Sequence, residues 1–238
     1  MRRSAIVLLV VASFLALSQA FAQLPDETSG RVPELDAFHK PIYTLWHDAW
    51  PAKDIAKLKS LLPDVEKAYT TLASSKLPGI LREKKVKWDE RLHVLAQSVK
   101  DYREAVDENK SDGIMKAAEA VHMNYEQMVR LVRPVLKELD AFHQTLYLIH
   151  HYYVPEQKGE QIKASADSLV LKMEALSKAE LPQRLEAKKE QFGKARTNLD
   201  EAVKAFSKGV KANKDKIEIG KLESTVHARY EVLEKVFE

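Results

Sequence analysis

Apolar residues recur every three or four positions along most of the chain, the spacing typical of amphipathic helices. Charged residues fill the positions between them, as in LREKKVKWDERL from Leu81 to Leu92. Glycine is rare, and most prolines fall between the periodic segments, where they end helices. The pattern predicts an all-α protein, with four helices before Pro134 at residues 33–50, 53–75, 80–108 and 114–133.

Two stretches of the sequence repeat. The thirteen residues LDAFHKPIYTLWH, starting at Leu35, return as LDAFHQTLYLIHH starting at Leu139, with seven identical positions. A second motif, VHMNYE at Val121, returns as VHARYE at Val226 after one inserted residue. Repetition at a fixed spacing is the mark of a duplicated structural unit. The sequence therefore predicts a tandem duplication of an up-down-up-down four-helix bundle.

The repeat sets the predicted domain boundaries. Residues 33–133 form the first four-helix bundle and residues 134–238 the second, with a flexible N-terminal segment at 23–32. The fourth helix of the first bundle is predicted to continue through Pro134 into the second bundle. A proline inside a helix bends it. We therefore expect two bundles joined end to end through a long helix kinked near Pro134.

The first 22 residues have the features of a cleaved signal peptide. Arg2 and Arg3 precede the apolar run AIVLLVVASFLAL, and Ala20 and Ala22 form a small-residue cleavage site. The apolar run is too short to span a membrane, and no second one follows it. The chain has no cysteine, which excludes lipidation at that residue and any disulfide. These features predict a periplasmic or secreted protein with no membrane span in its mature part.

Charge and motif content exclude several functions. Removing Arg2 and Arg3 with the leader lowers the net charge from +3 to +1, which argues against a nucleic-acid partner. The sequence has no glycine-rich phosphate loop and no nucleophile elbow. We therefore expect a binding protein rather than an enzyme.

The second motif pairs a histidine with a carboxylate at helical spacing. His122 and Glu126 are four residues apart, as are His227 and Glu231. Side chains at this spacing project from one face of a helix, so the two can bind one metal ion.

The first motif supplies the remaining candidate ligands. His39 and His47 are eight residues apart, about 12 Å along a helix, too far to share an ion easily. The first and fourth helices of a bundle run antiparallel, which brings His122 level with His47. The predicted site therefore contains His47, His122 and Glu126, completed or supported by Tyr43 or His39. The same reasoning leaves open His39 as the ligand, with His47 as its support.

The second bundle carries the equivalent set: His151, His227 and Glu231, with Tyr147 and His143. Imidazole and carboxylate ligands without thiolate suit zinc, cupric copper, nickel, cobalt or iron. The main hypothesis is one transition-metal ion per bundle, held for sequestration, delivery or sensing.

Two alternatives remain. The histidines can be hydrogen-bonded core residues of a metal-free helical scaffold, or interaction module, that binds a protein partner in the export compartment. The bundle architecture also resembles that of b-type cytochromes, a resemblance that implies a non-covalent haem b with His47 and His122 as axial ligands. His93 and His150 have no counterpart in the other copy and are interpreted as incidental.

Overall fold

The computed structural model describes residues 25–237, so the predicted signal peptide lies outside the described residues. Every regular element of residues 25–237 is a helix, and no strand occurs among them, which confirms the all-α prediction. Within the same range, no helix has both the length and the apolar character needed to cross a membrane. Residues 25–28, part of the segment predicted to be flexible, form a single helical turn.

The chain divides into two compact units, the first ending at Arg133 and the second beginning at Pro134. The first unit contains α1 (Pro33–Tyr43) continued by a π-helix (Thr44–Ala49), α2 (Ile55–Ala73), a 3-10 helix (Gly79–Lys84), α3 (Lys85–Glu108) and α4 (Ser111–Val132). The second contains α5 (Lys137–Leu148) continued by a π-helix (Ile149–Tyr153), α6 (Gly159–Ser177), a 3-10 helix (Gln183–Lys188), α7 (Lys189–Lys211), α8 (Lys216–Glu234) and a final 3-10 turn (Lys235–Phe237).

The helix ends follow local chemistry. The Asp54 carboxylate accepts a hydrogen bond from the backbone of Lys57 at 2.9 Å and so caps α2. Asp215 caps α8 in the same way, through Glu218 at 2.9 Å. Asn109 ends α3 in the left-handed conformation, which asparagine tolerates better than most residues.

The two units share backbone details at nearly constant spacing. Left-handed residues occur at Lys53 and Gln157, and again at Asn109 and Asn213, each pair 104 positions apart. A partly buried hydrogen bond between helices also recurs. Lys84 donates through Nζ to the carbonyl oxygen of Leu131 at 3.2 Å, and Lys188 donates to that of Val236 at 2.6 Å. Corresponding residues therefore take corresponding conformations, beyond the shared order of helices.

The predicted long helix kinked near Pro134 is not observed. Helix α4 ends at Val132 and α5 begins at Lys137. Arg133 and Leu136 are extended, with ψ of 126° at both residues. A residue that precedes proline avoids the helical region, and proline itself has no N–H for the helical ladder. Pro134 therefore ends the helix instead of bending it.

Each unit has a core of its own. In the first unit each helix packs against the next in sequence, and α1 also packs against α4. Phe38, Leu58 and Leu95 are fully buried there. In the second unit Phe142, Leu169 and Leu199 belong to one apolar cluster, and α8 packs against α7 and the π-helix. The first and last helices are thus near one another in both units, which places their histidines close together.

Tyr102 tests the packing of the first core. Its hydroxyl is buried and donates to the carbonyl oxygen of Leu58 at 2.5 Å. The corresponding residue of the second unit is Phe206, also buried. We expect Tyr102→Phe to fold and to lower the free energy of unfolding by about 0.5–1.5 kcal/mol, the usual net value of one hydrogen bond. Urea unfolding followed by circular dichroism measures the change.

Tyr69→Phe is the matched control, because the Tyr69 ring is only half-buried and its hydroxyl has no hydrogen-bond partner among residues 25–237. An equal loss of stability in both variants would show that the bond between Tyr102 and Leu58 contributes nothing specific.

Candidate functional site

A π-helix ends the first helix of each unit and carries one predicted ligand, His47 in the first unit and His151 in the second. In the first unit Trp50 donates its N–H to the carbonyl oxygen of Leu45 at 2.9 Å, and in the second Val154 donates to that of Ile149 at 3.0 Å. These i to i+5 bonds widen the turn by one residue, a feature frequent at functional sites. Pro41 lies inside α1 just before the first π-helix, but Thr145 occupies the matching position before the second. The wide turn therefore does not depend on proline.

In the first unit, His122 lies against the π-helix. The Trp46 indole stacks on the His122 imidazole with ring centroids 4.1 Å apart and planes 5° apart. Trp50 packs against Trp46 at 4.5 Å and donates through Nε1 to the carbonyl oxygen of Met115. One face of the His122 ring is therefore covered by an aromatic side chain.

The electrostatics of His122 identify its other neighbours. Burial lowers the pKa of His122, and the charge of His47 lowers it further, whereas Glu126 and Glu119 oppose the shift. His47 and Glu126 are therefore both close enough to act on the imidazole of His122. The antiparallel pairing of the first and fourth helices predicts the same closeness of His47 and His122.

His39 is exposed and belongs to a different set of rings. Its centroid is 5.9 Å from that of Tyr43 and 6.1 Å from that of Tyr125. Tyr43 links this set to His47, at 4.7 Å. Burial raises the pKa of Tyr125 to about 12, and its hydroxyl donates to the carbonyl oxygen of Leu35 at 3.2 Å. Tyr125 thus remains a neutral donor at physiological pH.

In the second unit three imidazoles lie together. His150 stacks on His227 with centroids 3.8 Å apart and planes 15° apart. His151 lies 4.7 Å from His150 and 6.4 Å from His227 between ring centroids. His150 Nδ1 is 2.9 Å from Oε1 of Glu223, a carboxylate only 3% exposed, and donates to it. His227 Nδ1 is 3.7 Å from Oε1 of Glu231.

His143 and Tyr147 lie on α5, before the π-helix that carries His150 and His151. His143 is buried and stacks on Tyr230 at 4.4 Å, and Tyr147 packs edge-on to His143 at 6.4 Å. Tyr147 also contacts His151, with ring centroids 4.6 Å apart. The order of rings matches that of the first unit, where His39, Tyr43 and His47 follow one another.

Sequence reasoning missed five residues that contact the clusters: Trp46, His150, Glu223, Tyr125 and Tyr230. His150, interpreted from the sequence as incidental, stacks on His227 and lies 4.7 Å from His151 between ring centroids, so it belongs to the second cluster. His93, by contrast, is exposed on α3. The tyrosines belong to the repeated VHxxYE motif, which was a usable signal. His150 and Glu223 replace Trp46 and Ala118 of the first copy, so a search for matched residues passes over both.

The clusters are not assembled as metal sites in this conformation. Across residues 25–237, no three histidine, aspartate or glutamate side chains are arranged to hold a metal ion. Stacked rings have nearly parallel planes, so the nitrogen lone pairs of His150 and His227 do not converge on one point. Side-chain rotation would have to precede binding of a shared ion.

Comparisons with known proteins do not assign the site. No protein-family model matches the chain, and no curated protein and no solved structure matches it. The chemistry of the clusters is therefore the basis for a functional interpretation.

The lowered pKa of His122 predicts a pH-dependent stability. The folded state holds this proton less tightly than the unfolded state, whose histidine pKa is about 6.5. The unfolded state therefore binds more protons, and stability falls as the pH drops from above 6.5 towards the lower folded pKa. We expect His122→Phe, which keeps a ring against Trp46, to weaken this dependence in urea unfolding between pH 8 and pH 5.

The exposed His93 provides the control: His93→Gln should retain the pH dependence of the wild-type chain. The assignment of this pH dependence to His122 would be contradicted by an unchanged pH dependence of stability in His122→Phe. It would also be contradicted by a His122 pKa at or above the ordinary value in an NMR titration.

Proposed function

We propose that this chain is an exported protein that binds transition-metal ions through histidine and carboxylate side chains between the first and last helices of each unit. Binding for sequestration, delivery or sensing, rather than catalysis, is the proposed role. The observation that carries the proposal is the collection of His150, His151 and His227 within 6.4 Å of one another, beside carboxylates.

The proposed architecture is a tandem duplication of an up-down-up-down four-helix bundle. The recurrence of the π-helices, the 3-10 helices and the left-handed residues at nearly constant spacing supports a common origin for the two units. Bundles commonly build metal sites from inward-facing side chains of neighbouring helices. Each unit then supplies one site.

The donor set suits a borderline divalent ion. Neutral imidazole and carboxylate bind zinc, cupric copper and nickel, and the chain offers no thiolate. Glu126 and Glu231 each lie one helical turn after a candidate histidine, where a carboxylate offsets part of the ion's charge. His47 and His151, next to tyrosines on the first helix of each unit, complete the proposed ligand sets.

A metal-free scaffold is the second candidate, favoured by a specific observation. His122 and His150 already make stacking contacts, and His150 donates to Glu223, so these imidazoles have structural roles without an ion. A non-covalent haem is disfavoured in the first unit, because Glu126 and Glu119 lie close enough to His122 to oppose the lowering of its pKa by burial, and carboxylates are costly in an apolar haem pocket.

Thermal unfolding of the full mature chain, after treatment with a chelator, separates the two candidates. An ion that binds only the folded state stabilises it by mass action, by about 2.7 kcal/mol at 100 times the dissociation constant. We expect zinc to raise the melting temperature, and the combined replacement of His47, His122, His151 and His227 by alanine to abolish the rise. His93→Ala, outside both clusters, should keep it.

Elemental analysis of chain purified without affinity tags or chelators gives the second readout. Close to one ion per unit is the expected result. A wild-type chain that carries no metal and gains no stability from zinc, cupric copper or nickel would reject metal binding in favour of the scaffold.

A further inference from the structure

The two units differ at two positions that touch their clusters. Trp46 of the first unit corresponds to His150 of the second, and Ala118 corresponds to Glu223. Both aromatic rings stack on the equivalent histidine, Trp46 on His122 at 4.1 Å and His150 on His227 at 3.8 Å. Both units therefore share the stacking geometry. The second unit differs in having an imidazole at this position and a carboxylate beside it.

The pairing of Glu223 with His150 has a direct chemical consequence. A carboxylate only 3% exposed is costly unless it is paired, and His150 Nδ1 donates to it at 2.9 Å. A neutral imidazole that donates from Nδ1 carries its lone pair on Nε2. Metal-binding histidines are commonly oriented in this way by a carboxylate behind them, which also makes the imidazole a better ligand.

The three rings lie near one another, but their nitrogens reach one ion only after side-chain rotation. Imidazoles bound to one tetrahedral zinc ion, at zinc–nitrogen distances of about 2.0–2.1 Å, have ring centroids about 5 Å apart. His150, His151 and His227 have centroid separations of 3.8, 4.7 and 6.4 Å. Rotation has to open the stacked pair by about 1 Å, bring His151 closer to His227 by a similar amount, and turn the nearly parallel rings of His150 and His227 until a nitrogen of each points at one position.

The first unit lacks this arrangement. An indole has no lone pair to offer a metal, and Trp46 covers one face of His122. Ala118 is buried and provides no carboxylate at the position of Glu223. His47 and His122 are then the only imidazoles that the π-helix and α4 of the first unit bring together.

We propose that the second unit is the tight metal site of this chain. His150, His151 and His227 are its ligands for a divalent ion such as zinc, and Glu223 is a positioning residue that holds His150 in the Nδ1-protonated form. This inference rests on the proposed metal-binding function and adds that the two units are not equivalent: the first binds the same ion more weakly.

A reciprocal exchange of the two differing residues tests the inference. Zinc alone is titrated calorimetrically into the full, metal-free mature chain. The second-unit variant His150→Trp with Glu223→Ala carries residues that the first unit already accommodates. We expect one tight equivalent in the wild-type chain, and a loss of about 10–100-fold or more in its affinity in this variant. The first-unit variant Trp46→His with Ala118→Glu should bind a second equivalent more tightly.

Glu223→Gln isolates the positioning role, because it keeps the shape of the side chain and removes its charge. We expect an affinity loss of about 10–100-fold. The ¹⁵N shifts of His150 should also show a reduced preference for the Nδ1-protonated form before zinc is added. The exposed Glu180→Gln is the matched control and should leave both readouts unchanged. Circular dichroism at each step verifies that the variants are folded.

The outcomes separate the two proposals. Absence of binding by the wild-type chain in the same titration with zinc, cupric copper and nickel would overturn the proposed function and this inference together. Two sites of equal affinity, or an unchanged titration in both Glu223→Gln and the His150→Trp, Glu223→Ala variant, would overturn the inference alone and leave a symmetric metal-binding protein.

Discussion

The widened turn at the end of the first helix positions the chemistry of each unit. In an α-helix, successive side chains diverge by about 100°, so two neighbouring residues rarely face the same partner helix. A π turn adds one residue to the ladder and shifts the residues that follow around the helix axis. Both π-helices pack against the last helix of their unit. As a result, two sequence neighbours lie near the same histidine of the last helix. These are Trp46 and His47 near His122 in the first unit, and His150 and His151 near His227 in the second.

The burial of polar groups in the second unit shows how that geometry is stabilised. Glu223, His143 and Thr145 are buried there, and each has a partner. Lys172 donates to the Thr145 hydroxyl at 2.5 Å, and burial lowers the pKa of this lysine. An unpaired carboxylate in such a place would cost more than one stacked ring contributes. The contact between His150 and Glu223 is therefore a condition for keeping Glu223 inside the core.

The spacing of apolar residues was enough to predict an all-α protein. A helix that buries one face needs apolar residues every three or four positions, whatever the order of the helices. His47 could be predicted to lie near His122, because the first and fourth helices run antiparallel and the rise per residue of a helix is fixed. The junction at Pro134 was predicted wrongly, because proline can either bend a helix or end it, and here the extended conformation of Arg133 ends it. His150 and Glu223 were missed for a different reason. Matched residues reveal what two copies have in common, whereas these two residues are where the copies differ.

That difference has a physical logic of its own. The position of Trp46 and His150 lies against a histidine in both units, so a flat ring that can stack is suited to it. Replacing an indole by an imidazole leaves a smaller ring with two polar nitrogens, one of which bonds to a buried carboxylate. Glu223 supplies that partner from α8, where Ala118 of α4 supplies only a methyl group. The two exchanges depend on each other: a carboxylate at 223 without His150 is unpaired, and His150 without that carboxylate leaves its inward nitrogen without this hydrogen bond. Such coupled changes can alter the chemistry of a site in one unit while the backbone of both units stays alike.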